Sequence, residues 1–314
     1  MISLYLHYIV TGNDINVRLS TILKTKLHIS NRLLIKLKNG RCIFVNNKIC
    51  NTDYIVKTDD IILIDLDNLD NTDNKNTINF NYPLYNFKLD ILFEDEYLLI
   101  INKPDFMPVH PCSSNTDTTL LNAVYNYYNK QKYTSTKAHI ITRLDSNTSG
   151  ICVIAKNSYI QELFVNLKDK IQFKKEYIAF VNNIIKENHG YIINNIIRDE
   201  NSIITRKVTN DINIGKYAKT EYNVIERNIK LNYTKVKVIL HTGRTHQIRV
   251  HFASIGHTLL GDELYANIYN KNYSKICKKY IHRHALHCSL ISFIHPITKK
   301  NIEIICNIPN NFNF

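Results

Sequence analysis

Glycine and proline are scarce in this sequence, 8 and 6 of 314 residues. Asn, Ile and Lys are correspondingly common, a bias that reflects AT-rich coding and says little about chemistry. No apolar run approaches the ~20 residues that span a bilayer, so no membrane helix is expected. Met1–Val10 is fairly apolar but has neither a basic leader nor a small-residue cleavage site, and it reads as a strand. Seven cysteines (Cys42, Cys50, Cys112, Cys152, Cys277, Cys288, Cys306) are odd in number, scattered, and include no Cys-x-x-Cys pair. That argues against a disulfide framework and a zinc ribbon, and points to free thiols in a reducing cytoplasm. Between residues 15 and 52 acid is missing altogether.

What is present suits a soluble globular protein: 44% hydrophobic and 21% charged residues. The 40 Lys+Arg against 27 Asp+Glu give a formal net charge of +13. Such an excess favours polyanionic partners, nucleic acid first and acidic membrane surfaces second. A generally basic proteome gives the same figure, so charge alone decides nothing.

A compact unit is expected over residues 10–66. Leu19, Ile22, Leu23 and Leu27 recur at helical spacing. Leu33, Leu34 and Leu37 do so again behind Ser30 as N-cap, with Gly40 ending the helix. A hairpin follows, Cys42–Val45 and Lys48–Cys50 around an Asn46-Asn47 turn, then a strand from Ile61 to Leu66. Between residues 15 and 52 its cations (Arg18, Lys24, Lys26, Arg32, Lys36, Lys38, Arg41, Lys48) form a one-signed face suited to phosphates, although a solvated basic helix pair has the same look. Residues 67–84 are Asn/Asp-rich and read as a flexible linker. The acids Asp65, Asp67, Asp70 and Asp73 lack the Gly and closing Glu of a calcium loop.

Residues 85–314 read as one α+β domain with a mixed, largely antiparallel sheet, because strands and helices do not alternate regularly. Expected strands are Asp90–Ile101, Ile151–Ala155, Glu176–Val181 and Lys235–Leu240. Expected helices are Leu120–Tyr128, Gln161–Leu167 and Thr245–Ser254, the last with Thr245 as N-cap and Gly256 closing it.

Three segments carry the chemistry. Arg143-Leu144-Asp145-Ser146-Asn147-Thr148-Ser149-Gly150 is a turn-forming cluster directly before an apolar strand, which puts a carboxylate at a sheet edge. On its own, an Arg-x-Asp in a turn is usually a local ion pair. Lys174-Lys175-Glu176-Tyr177 opens a strand, where a Tyr is more often core than ligand-stacking. Gly243-Arg244-Thr245-His246-Gln247-Ile248-Arg249-Val250-His251 is a turn into a helix, with Arg249 able to reach a buried carboxylate. The histidines at 241, 246, 251 and 257 are close in sequence, yet His246 and His251 fall on different helix faces with no acid at ligand spacing, so no metal site is expected. A glycosidase would need two cooperating carboxylates, and only Asp145 has a motif of that quality.

Together these segments resemble the RluA family of RNA pseudouridine synthases. The carrying residues are Arg143-Leu144-Asp145 with Thr148-Ser149-Gly150, then Lys175 and Tyr177, then 243–251. Leu92–Glu96, Asn102-Lys103-Pro104, Gly261-Asp262, Ala285-Leu286-His287 and His295-Pro296 support it, so the resemblance covers nearly all of residues 85–300. One departure is Thr142, where the family usually has His. Residues 29–37 with Val45-Asn46-Asn47 resemble the RNA-binding module of ribosomal small-subunit protein four.

The resemblance implies Asp145 as the catalytic aspartate, Arg249 as its ion-pair partner, Tyr177 as the stacking platform for the target uracil, and Arg143 as the residue that fills the gap left by the flipped nucleotide. Thr148, Lys175, Arg244 and His246 in the catalytic domain, with Arg32 and Lys36 in the N-terminal module, are the further RNA-contacting candidates. Isomerisation of uridine loses no group and changes no oxidation state, so no cofactor and no metal are expected. The expected partner is RNA, ribosomal first and transfer RNA second, with no membrane and no obligate protein partner, in the cytoplasm. A non-catalytic RNA-binding or ribosome-assembly factor would have lost Asp145, Tyr177 or Arg249. Whether Asp145 attacks the sugar or removes a proton from it stays open.

Overall fold

The structure, a computed structural model, describes residues 4–69, 83–112, 115–133, 137–200, 202, 204–269 and 281–312. The chain opens with β1 (Tyr5–Ile9), then α1 (Leu19–Thr25), α2 (Asn31–Asn39), the hairpin β2 (Ile43–Val45) and β3 (Lys48–Ile49), and β4 (Ile61–Asp65). These strands form one sheet in the order β1-β4-β2-β3. The Ser30 hydroxyl caps α2 by accepting from Leu33 N at 3.2 Å, a bond of about 1 kcal/mol. Leu33, Leu34 and Leu37 are buried behind it. Asn46 and Asn47 both have positive φ, 49° and 63°, as a two-residue turn matched to strand twist requires. Because β1 pairs with β4 from Tyr5↔Asp65 to Ile9↔Ile61, the unit starts before residue 10. Leu69 is fully buried and Asp67 accepts from Leu4 N at 3.0 Å, so the start of the expected linker is packed. Its remainder up to residue 82, with Asp70 and Asp73, lies outside the described residues, as does Cys277.

The larger sheet is built from β5 (Asp90–Glu94), β6 (Leu98–Lys103), β7 (His139–Ile140) and β8 (Ser149–Ala155), with α3 (Leu120–Gln131) between β6 and β7. After α4 (Ser158–Asn166) and α5 (Lys168–Ile171) come β9 (Lys174–Asn182), β10 (His189–Arg198), β11 (Arg206–Thr209), β12 (Lys216–Asn228) and β13 (Tyr233–Leu240). Then follow α6 (Gln247–Ser254), α7 (Glu263–Tyr269), β14 (Leu286–Ile294) and β15 (Asn301–Ile305). The strand order is β11-β10-β12-β13-β9-β14-β8-β6-β5, with β15 beside β14 and β7 beside β8. Among the described residues every pairing in this sheet is antiparallel except β14 with β8. The fold is therefore α+β with a mixed, mostly antiparallel sheet.

β8 shows why a continuous apolar run lies at the centre. Ile151, Val153 and Ala155 pack into one apolar cluster, while Cys152 and Ile154 face a second one built on α3. A strand covered on both faces has no use for alternation. The region expected as a single strand, Asp90–Ile101, is a hairpin. Asp95 accepts from Tyr97 N and Leu98 N at 2.8 and 2.7 Å, and this side-chain turn breaks it. On the far wing, α6 and α7 cover the sheet through Val250, Ala253 and Tyr265 against Ile196 and Ala218.

Candidate active site

The loop from Asp145 to Ser149 leads into β8 and is clamped at each of its last four residues. Lys103 Nζ donates to Ser146 O at 2.9 Å, and also to Pro104 O and Met107 O at 2.7 and 2.9 Å. Lys103 is 0% exposed, and burial lowers its pKa to about 8. Arg283 Nη1 donates to Asn147 O at 3.0 Å. The Thr148 hydroxyl meets His284 Nε2 at 2.7 Å, and Ser149 Oγ meets His287 Nδ1 at 2.9 Å. The histidines at 284 and 287 thus serve the loop, each kept neutral by burial, which lowers both pKa values.

Gly150 completes the anchor. It has φ +108°, and a Cβ there would collide with the Cys288 backbone across the parallel β14–β8 contact. Only glycine permits both this φ and this approach.

Asp145 projects from the clamped loop into a cleft of about 420 Å³. Its side chain is 28% exposed, and Oδ2 lies 3.3 Å from Arg249 Nη1. His246 Nε2 is 3.7 Å from the same oxygen. Among the described residues that line the cleft Asp145 is the one carboxylate, beside Arg143, Lys175, Arg244 and Arg249. Tyr177, on β9 opposite Cys288 and Val238, is nearly buried and forms part of the wall. Burial holds its hydroxyl well above the ordinary range, so it is a neutral phenol.

Arg249 is held chiefly by another residue. Its Nε and Nη2 donate to Asp262 Oδ2 and Oδ1, both at 2.8 Å, with Asp262 1% exposed. Burial disfavours the cation, but the bonds and charge of Asp262, with Asp145 behind them, raise its pKa above the ordinary value. Asp262 stood in a motif-like Gly-Asp pair in the sequence, yet nothing there tied it to Arg249.

One expectation is corrected here. Thr245 does not cap α6, because His246 occupies the N-cap position in a left-handed conformation (φ 57°) and makes no side-chain cap bond. The turn is held instead by Gln247, whose Oε1 accepts from Arg244 N and Thr242 Oγ1 and whose Nε2 donates to Lys219 O and Thr220 Oγ1. His246 Nδ1 meets the Tyr265 hydroxyl at 3.0 Å, and burial lowers its pKa. Thr148 lines the cleft, with its side chain buried and its hydroxyl 2.7 Å from His284 Nε2.

Arg143 and Arg244 are exposed at the rim, and Arg244 Nε donates to Tyr217 O at 3.0 Å. Both also line an adjoining groove with Arg198, Arg206 and Lys216. Arg32 and Lys36 are not at this cleft; they sit on α2 and line a separate one. Among the described residues no group of three or more His, Cys, Asp or Glu is arranged to hold a metal ion, and no helix is long and apolar enough to cross a membrane.

The sequence profile of the RNA pseudouridylate synthase family matches residues 97–254. The uncharacterized RNA pseudouridine synthase YjbO of Bacillus subtilis is 31% identical over 92% of this chain and 94% of its own length. The ribosomal large subunit pseudouridine synthase D of Buchnera aphidicola is 40% identical over 76% of this chain and 75% of its own. The solved structure of human RNA pseudouridylate synthase domain containing 1 superposes with a TM-score of 0.56 over 72% of this chain and 85% of that one, at 22% identity, a likeness of fold. The chain belongs to the RluA family of RNA pseudouridine synthases, isomerases that act on uridine in RNA.

Proposed function

We propose that this enzyme isomerises uridine in large-subunit ribosomal RNA, with Asp145 as its catalytic residue. The observation that carries the catalytic assignment is the make-up of the cleft, a single carboxylate among four Lys and Arg side chains beside a nearly buried tyrosine ring. The reaction needs one carboxylate at the sugar, a base held by its face, and a site sheltered from water. The N-glycosidic bond breaks, the uracil turns, and carbon 5 bonds to the sugar. The proton displaced from carbon 5 leaves to solvent, and N1 takes one up.

Each neighbour of Asp145 has a part in this scheme. Arg249, fixed by Asp262, orients the carboxylate. Tyr177 offers its ring face to the flipped uracil, whose extrusion costs about a few kcal/mol. Arg143 at the rim fills the space the nucleotide vacates. Lys175, Arg244 and His246 receive the flanking backbone. The ribosomal assignment is supported by relatives named as ribosomal large subunit synthases at 36% and 40% identity.

The test is tritium release from transcripts labelled at carbon 5 of uridine, with ribosomal and transfer RNA run in parallel. Wild type should release tritium from the ribosomal transcript, and Asp145→Asn should release none. Equal release by the variant would remove Asp145 from the chemistry, and faster release from transfer RNA would replace the ribosomal assignment.

A further inference from the structure

The N-terminal unit is fastened to the catalytic domain along one face of α4. The Tyr159 hydroxyl donates to Leu27 O at 3.0 Å, and Asn166 Nδ2 donates to His28 O at 3.2 Å. Between them, Glu162 accepts from both Ser30 N and Ser30 Oγ, at 2.6 and 2.7 Å. Positions 159, 162 and 166 are spaced to share a helix face. Ser30 is the N-cap of α2, so the Glu162 carboxylate sits where the helix end favours negative charge. Beneath these bonds Leu27, Leu33, Tyr159 and Phe164 belong to one continuous apolar cluster.

Docking creates a cleft of about 920 Å³ between the two units. Arg32 and Lys36 of α2 form one wall. Lys137, His139 and Ile141 form another, on the segment that leads into Thr142 and Arg143. Ile141 also lines the Asp145 cleft, so the two spaces share a wall residue. Among the described residues that line it the one carboxylate is Glu162, and both its oxygens are engaged by Ser30. The other charged lining residues are the cations Arg32, Lys36 and Lys137, and a polyanionic strand is the occupant that matches them.

We infer that this composite cleft binds the RNA strand that leaves the target uridine, which runs past Ile141 and places its phosphates against Lys137, Arg32 and Lys36. The N-terminal unit is then a fixed wall of the substrate path, and the Ser30–Glu162 contact is what holds the wall in register. This rests on the reading of the Asp145 cleft as the catalytic one.

The full-length protein tests it with a large-subunit ribosomal transcript, by filter binding and by single-turnover tritium release. Three variants are compared: Glu162→Ala/Tyr159→Phe, which loosens the docking; Arg32→Gln/Lys36→Gln, which strips the α2 wall; and their combination. Each pair should weaken binding about tenfold, and the combination should weaken it little more than either alone, because the groups act as a unit. Single-turnover rates at sub-saturating RNA should fall in the same proportion as the binding. Unchanged binding by Glu162→Ala/Tyr159→Phe, or losses that simply multiply, would overturn the inference. Should the docking variant not fold, Lys137→Gln on the opposite wall decides: it should reduce the salt slope of binding by about one, and an unchanged slope would overturn it. Failure of the catalytic reading shows separately, as absence of release by the wild type.

Discussion

Asp262 offers the sharpest check on how the site is built. Arg249 makes two 2.8 Å bonds to Asp262 and one longer contact, 3.3 Å, to Asp145. Asp262→Ala removes the partner of a buried guanidinium, and breaking such a pair costs about 3–5 kcal/mol. For a chain of this size that lowers the melting temperature on the order of 10 °C. Asp262→Asn keeps one acceptor and should cost roughly half as much. In both, Arg249 is left with Asp145 as its nearest anion and swings towards it. A misplacement of about 1 Å at a reacting group costs on the order of a hundredfold in rate. Differential scanning calorimetry reads the first effect, and single-turnover tritium release at saturating RNA reads the second. RNA affinity should hardly move, because Asp262 is buried and is not among the residues that line the cleft. A melting temperature within about 2 °C of wild type together with a rate within about twofold would refute the reasoning.

Three further predictions use other parts of the structure. Tyr177→Leu removes the aromatic face from the cleft wall; a stack of about 1–3 kcal/mol predicts a loss of roughly 5- to 150-fold in kcat/KM, and Tyr177→Phe should keep the stacking share of it. Gly150→Ala forces a Cβ into the Cys288 backbone at φ +108°, so the variant should fail to give soluble folded protein, and a normal circular dichroism melt would contradict the packing. His251 and His287 are pushed down to about 4 by burial from an ordinary 6.5, so each binds its proton more readily when unfolded. Their contribution, a few kcal/mol each, is fully present above pH 6.5 and is lost as pH falls towards about 4. Urea midpoints measured between pH 7.5 and 4 should fall across that window, and a flat profile would show that neither histidine is buried neutral.

What the amino-acid order settled by itself was local. The spacing of Leu33, Leu34 and Leu37 behind Ser30 gave a capped helix, Asn46-Asn47 gave a tight turn, and the run from Ile151 to Ala155 gave a buried strand. Each needs only its own neighbours to be favourable. The motifs around Asp145, Tyr177 and Arg249 likewise pointed to one cleft, because each is a short contiguous segment. β12 went unread although it alternates, since its inward residues Ala218 and Thr220 are small or polar and leave little hydropathy signal. Asp90–Ile101 was read as one strand because the turn within it depends on the Asp95 side chain rather than on Gly or Pro.

Only the tertiary structure decided what holds the site. Lys103, Arg283, His284 and His287 reach the Asp145 loop from elsewhere in the chain, and Arg249 is set by Asp262. It also decided that Thr148 turns inward and that the N-terminal unit docks through Glu162. These are pairings between residues far apart in sequence or on different elements. Their energy comes from burying charge and hydrogen bonds together, which no local pattern records.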